Sequence, residues 1–360
     1  MTNTIFEKFN VAELTPQQMK DLKGLESFIQ TGLKAKQTHV AVVEGAAGTG
    51  KSVLLTALFR KLQSSARSNA GAYTNTKNYF AVNHPELLKV YQAMSTRIPE
   101  LRQKDYVRPT SLINQLDKTN EIADVVVFDF KQVMQSKMMW SPELLRAQLN
   151  DTNVKTFKLG YQHRVQGSVA LNTWLTQLGN GELRPIPNDL GGYDVRMYNR
   201  ADELFKQIQA RDAELGLSRV VATTGFVRRH ADEHNVYMDG FDLPWDEYDP
   251  QKTPWAERPE SLHEVGSIYT VQGFDLNYVG VILSPAYEYD DVSDSIVINP
   301  DKVTHREIYK PRNDVTNPAD IARLEQAYMM NALHVLVTRG IHGMYLTAAD
   351  PKLRERLLKL

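Results

Sequence analysis

The sequence predicts an α/β protein in which mostly parallel sheets are flanked by helices, and three observations predict it. The first is a phosphate-loop pattern, G-x-x-x-x-G-K-S, running from Gly45 to Ser52. The second is its setting: the apolar run Val40–Val43 leads into it, and Val53–Leu62 leaves it with helical spacing. The third is a regular alternation of short β-type runs with helical stretches along the chain. Strands are expected at Val40–Val43, Tyr79–Val82, Val125–Phe128, Val154–Leu159, Val195–Tyr198, Val220–Thr223, Gly266–Tyr269, Val279–Leu283 and Met344–Thr347. Helices are expected at Pro16–Leu33, Ser52–Leu62, Pro85–Met94, Pro142–Leu149, Val169–Leu178, Ala201–Leu215 and Ala319–Val337. Phe241–Pro259, rich in proline, acid and tryptophan, reads as a long loop.

A chain of 360 residues is too long for one ordinary core, so two domains are expected. The division falls near Lys158–Gly160, giving 1–158 with the phosphate loop and 159–360 beyond it. The composition, 42% hydrophobic with mixed charge, is that of a soluble globular protein. There is no cysteine, which excludes disulfides and thiolate metal sites and suits a reducing cytoplasm. The first ten residues carry no basic region followed by an apolar run, so no signal peptide is expected, and no apolar stretch has the length of a membrane span. A formal net charge of −1 gives no global basic signature, although a local basic channel for nucleic acid remains compatible with it.

The loop's residue types state its chemistry. Gly45, Gly48 and Gly50 let the backbone curl so that N–H groups, including those of Ala46, Ala47 and Thr49, face phosphate oxygens. The helix starting near Lys51 adds its positive end. Lys51 is placed to reach the β- and γ-phosphates and Ser52 to ligate magnesium, so the expected cofactors are ATP and Mg2+.

Further pieces follow in order. L-T-P-Q-Q puts Gln18 at the start of a helix; V-V-V-F-D-F-K-Q-V-M at 125–134 is a strand ending in Asp129 with Gln132 three residues on. Then come G-Y-Q-H-R ending at Arg164, V-G-S-I-Y-T-V-Q-G-F-D at 265–275, and N-A-L-H-V-L-V-T-R-G at 331–340. This series resembles the superfamily 1 helicases, and more closely the bacterial helicase-type ATPases related to the Schlafen helicase domain. The resemblance runs from about Leu14 to Thr347, and R-P-T-S-L-I-N, Y-Q-H-R-V-Q-G-S and V-L-V-T-R-G-I-H-G are among its most specific parts. It implies a P-loop NTPase of two RecA-like lobes with ATP between them. It also implies that Gln18 reads the adenine, that Gln272 and Gly273 couple nucleotide to nucleic acid, and that Arg164 and Arg339 act on the γ-phosphate from the second lobe. Guanidinium groups there would stabilise charge spread over the equatorial oxygens. The implied partner is single-stranded DNA or RNA, with a protein partner as a further candidate; nothing in the sequence sets the oligomeric state.

Asp129 breaks the pattern. Such an ATPase carries an aspartate–glutamate pair at a strand end, the glutamate activating water, and here Phe130 follows Asp129. Either Asp129 is the metal-site aspartate of a degenerate motif, or D-F-K-Q is the later motif D-x-x-Q with Gln132 sensing the γ-phosphate. Spacing to Arg164 favours the second, which requires a strand with its acid pair to be missing between Ser111 and Asp129. Both readings make hydrolysis slow, and an ATP-dependent switch is the alternative to a motor. Two decoys are set aside. His230, Glu233 and His234 fit H-x-x-E-H, but Arg228 and Arg229 adjoin them and no third ligand is evident. Tyr79, Phe80, Trp140 and Trp255 are read as packing residues before stacking platforms, and Arg60, Lys61 and Arg67 as a solvated helix face.

Overall fold

The computed structural model describes residues 14–45, 48–68, 71–82, 85–129, 153–160, 165–228, 233–238, 240–246, 253–271, 275–304 and 317–360. They fall into two compact units, one built from described residues 14–160 and the other from 165–360. The architecture is α/β with mostly parallel sheets and flanking helices.

The N-terminal unit begins with α1 (Pro16–Ala35), which Thr15 starts as a capping box. The Thr15 hydroxyl accepts from the Gln18 backbone N–H at 3.2 Å, and the Gln18 side-chain oxygen accepts from the Thr15 N–H at 3.0 Å. Pro16 at the first helical position needs no N–H there. Strand β1 (His39–Glu44) runs into the glycine-rich turn, and α2 (Lys51–Ala66) follows it. Then come β2 (Asn78–Val82), α3 (Pro85–Ser95), β3 (Tyr106–Val107), α4 (Pro109–Thr119), β4 (Val125–Asp129) and β5 (Asn153–Lys158). β1 pairs in parallel with β5, while β2 lies between β3 and β4, also parallel. Helical spacing puts Leu54, Leu58, Phe59 and Leu62 on one face of α2, all buried. Phe59 meets Phe80 and Tyr106 edge-on, with ring centroids 5.3 Å apart in both pairs. The cations Arg60 and Lys61 of α2 and Arg67 just beyond it each meet an acid: Arg60 Glu100, Lys61 Glu26 and Arg67 Asp105.

The second unit comprises α5 (Val169–Gly179), β6 (Asp194–Met197), α6 (Ala201–Leu215), β7 (Arg219–Ala222), β8 (Asn235–Met238), β9 (Phe241–Pro244), α7 (Ile268–Val271), β10 (Leu276–Leu283), β11 (Tyr287–Asp290), β12 (Ser295–Ile298), α8 (Pro318–Val337), β13 (Gly340–Ala348) and α9 (Pro351–Leu357). Its central sheet has the order β6-β13-β10-β7, every pair parallel. All eight residues of β10 are buried, as befits a strand covered on both faces. Ala201, Leu204 and Ile208 of α6 pack over Val220, Ala222 and Ile282.

Two expectations need correction. Gly266–Tyr269 is not a strand: Gly266 makes only a single bridge to β7, and the chain then turns into α7. Local bonds drive the turn, since the Ser267 hydroxyl accepts from Tyr269 N–H and the Thr270 hydroxyl from Ser267 N–H. The stretch 241–259 is not all loop. β9 pairs antiparallel with β8 through a turn whose Gly240 has φ +81°, and Trp255–Glu257 and Pro259–His263 form 3-10 turns. Trp255 is buried there, donating its indole N–H to Glu264 at 2.8 Å. The expected helix Pro142–Leu149 and Trp140 lie outside the described residues.

Candidate nucleotide site

Strand, loop and helix converge at Gly45–Ser52. β1 carries the chain in, and Leu159 N–H donates to the Glu44 carbonyl at 2.8 Å, fixing the strand end below the loop. Gly48 and Gly50 both have φ +81°, a conformation that side chains disfavour. A Cβ on Gly50 would also lie 2.3 Å from the Gln18 amide nitrogen, so this glycine admits a close neighbour as well as a turn. From Lys51 the backbone is helical, and the first N–H groups of α2 have no partners within their own helix, which makes this end a seat for an anion. The Lys51 ammonium lies back on the loop, donating to the Gly45 carbonyl at 2.5 Å.

Asp129 ends β4, in register with Val82 of β2, and is 5% exposed. Its Oδ2 accepts from Ser52 Oγ at 2.9 Å and from the Tyr91 hydroxyl at 2.6 Å. Residues 77 positions apart thus meet at the first turn of α2. Burial, then the negative charge of Asp129, push the Tyr91 phenol well above its ordinary pKa, so it stays a donor at any working pH. Among the described residues no group of three or more His, Cys, Asp or Glu could hold a metal ion. One carboxylate and one hydroxyl are oxygen ligands of the kind that suit a hard cation completing its shell with other oxygens.

Gln18 is buried beside this loop, at the third position of α1. Its oxygen is engaged by the capping box and its amide nitrogen faces Gly50. Arg339 lies in the second unit between α8 and β13; it is 2% exposed, and its Nε donates to the Val335 carbonyl at 3.1 Å. That bond satisfies a carbonyl in the last turn of α8, where a cation is favoured. Ala46, Ala47, Gln132, Arg164, Gln272 and Gly273 lie outside the described residues, as do Arg229 and His230 of the H-x-x-E-H decoy. Within that decoy His234 packs edge-on against Trp245 at 4.6 Å.

Sequence reasoning overlooked Tyr91. The spacing of Leu87, Val90, Tyr91 and Met94 marks the buried face of α3, but it cannot say where a buried hydroxyl will find its acceptor.

Fold and turn together define an α/β protein with mostly parallel sheets, in which a serine and an aspartate meet at the helix after a glycine-rich turn. The chain belongs to the Schlafen group 3, DNA/RNA helicase domain family, whose model matches residues 38–129 and 123–350. An uncharacterized protein of Saccharomyces cerevisiae is 31% identical over 421 residues, covering 98% of this chain and 92% of the relative. Residues 123–129 are matched twice, closing the first stretch and opening the second. No helix among the described residues is long and apolar enough to cross a membrane.

Proposed function

We propose that this protein is a two-lobed, superfamily 1-type P-loop ATPase that binds Mg-ATP and single-stranded DNA or RNA, with slow turnover. The observation that carries the reading is the Ser52–Asp129 contact at the start of α2, which supports a cation between loop and strand end. In this reading the two units are RecA-like lobes. The loop N–H groups and Lys51 hold the phosphates, Ser52 and Asp129 hold magnesium, and Gln18 lies at the adenine side. Arg164 and Arg339 act on the γ-phosphate from the second lobe, and Gln272 and Gly273 link nucleotide to nucleic acid. Magnesium supplies charge neutralisation for phosphoryl transfer; the chain's own groups orient the triphosphate and exclude water.

The contact favours the metal-site role for Asp129 over the D-x-x-Q role, and the double match explains why both readings suggested themselves. One strand, Val125–Asp129, corresponds to the end of the first family stretch and the start of the second. An alignment over 421 residues also exceeds the 360 of this chain, so the relative has residues with no counterpart here. Both facts support a chain in which an internal segment has been lost at 123–129, and with it the water-activating acid. A switch that closes on ATP without efficient turnover is the second reading, favoured by Phe130 standing after Asp129. Phosphate release with and without a single-stranded oligonucleotide tests the reading. A positioned carboxylate contributes about 10²–10⁴-fold in rate, so release should stay near background in both conditions. Brisk, oligonucleotide-stimulated release would refute the loss of the acid.

A further inference from the structure

The Tyr91 hydroxyl is buried, lies outside every motif, and touches the carboxylate on which the site depends. We propose that Tyr91 is the positioning residue that fixes Asp129 for cation binding, an inference that rests on reading Ser52 and Asp129 as the magnesium site. The geometry is specific. Tyr91 and Ser52 donate to the same oxygen, Oδ2, at 2.6 and 2.9 Å, from α3 and from the first turn of α2. An ionised carboxylate offers about four lone-pair positions. Two hydroxyl donors on one oxygen fix its rotation and leave the other oxygen's positions for a cation or its water. The Ser52 hydroxyl, with its proton committed to Asp129, likewise keeps its lone pairs for the metal.

The ring is as fixed as the hydroxyl. Tyr91 stacks on Tyr106, with centroids 5.6 Å apart and planes 9° from parallel, and leans on Phe80 at 4.7 Å. Phe59 holds Phe80 and Tyr106 from the α2 side. α3 is thereby tied to the same aromatic cluster that seats α2, so the two donors move together. Tyr106 supplies an internal control, because its hydroxyl is buried in the same cluster with no hydrogen-bond partner among the described residues. A substitution there alters the same aromatic layer without touching Asp129.

The test is the ratio of nucleotide affinities in Mg2+ and in EDTA, read with a fluorescent ATP analogue, with Mn2+ binding followed by electron paramagnetic resonance. Groups that orient metal ligands typically change metal affinity 10–100-fold. Tyr91→Phe keeps the ring, so the ratio and the Mn2+ affinity should fall by about 10-fold while the EDTA affinity is unchanged. Tyr106→Phe should leave both untouched. If Tyr91→Phe fails to fold, Tyr91→His, which keeps a donor, is read in the same way and should retain most of the ratio. An unchanged ratio in folded Tyr91→Phe, or equal losses with and without metal, would overturn the positioning role. A wild-type chain indifferent to Mg2+, with Asp129→Asn equally indifferent, would instead overturn the magnesium site beneath it.

Discussion

Lys51→Ala separates a nucleotide site from a decorative glycine turn. In the structure the Lys51 ammonium donates to the Gly45 carbonyl, a bond that must be exchanged for phosphate oxygens on binding. A hydrogen bond to an ionised partner contributes about 1.5–3 kcal/mol net, and each 1.4 kcal/mol is about tenfold in affinity. Removing the ammonium should therefore weaken ATP binding by about 10- to 100-fold. Its effect on folding has the opposite sign or none. Lys51 is half-buried at the first position of α2, where a cation opposes the helix dipole by about 0.3–1 kcal/mol. Loss of the Gly45 contact roughly cancels that relief, so urea unfolding should shift by less than about 1 kcal/mol. Calorimetry on folded wild type and variant reads the affinity directly. Equal affinity, or a loss matched by unfolding, would refute the reasoning.

Two further predictions concern the folded chain. Gly50→Ala forces a side chain into φ +81° and against the Gln18 amide, and should cost about 1–2 kcal/mol in urea unfolding from the backbone alone; an unchanged midpoint would mean that the loop is not held in this conformation. In the second unit, Arg356 bonds Asp294 at 2.7 and 2.8 Å, tying α9 to the β11–β12 turn, and holds that carboxyl down at about 2, against an ordinary 3.8. A depressed carboxyl stabilises above its unfolded pKa and loses that stabilisation as pH falls through the folded one. The acid-side decline in melting temperature between about pH 4 and 2, to which other depressed carboxyls also contribute, should therefore be shallower in Asp294→Asn than in wild type; identical pH profiles would show the pair to be inert.

The sequence reading succeeded where apolar runs were long and failed where local bonds decide. β10 and β13 carry the apolar runs Val279–Leu283 and Met344–Leu346, and their type was plain. The strand and helix on either side of Gly45–Ser52 were legible because the apolar run before it and the helical spacing after it are both clear. The β8–β9 hairpin was passed over although the D-G pair at 239–240 is a hairpin signal, because proline and acid downstream masked it. Helix α4 was missed although Pro109 opens it; of its apolar residues Leu112 is buried and Ile113 lies exposed. Gly266–Tyr269 alternates like a strand until Ser267 and Thr270 bond their own backbone. For the site, proximity was the illegible part. Nothing in spacing says that Ser52, Tyr91 and Asp129 meet on one oxygen, since only packing of α2 and α3 beside β4 brings them there.

The central claim is that the Gly45–Ser52 turn, completed by Asp129, binds a magnesium-bound nucleoside triphosphate. A calorimetric titration of the wild-type chain with ATP, once in Mg2+ and once in EDTA, tests it most directly. The account predicts a single site per chain, tighter with Mg2+ than without it, and with the metal advantage lost in Ser52→Ala and Asp129→Asn. Absence of binding in Mg2+, or binding that neither substitution alters, would contradict it.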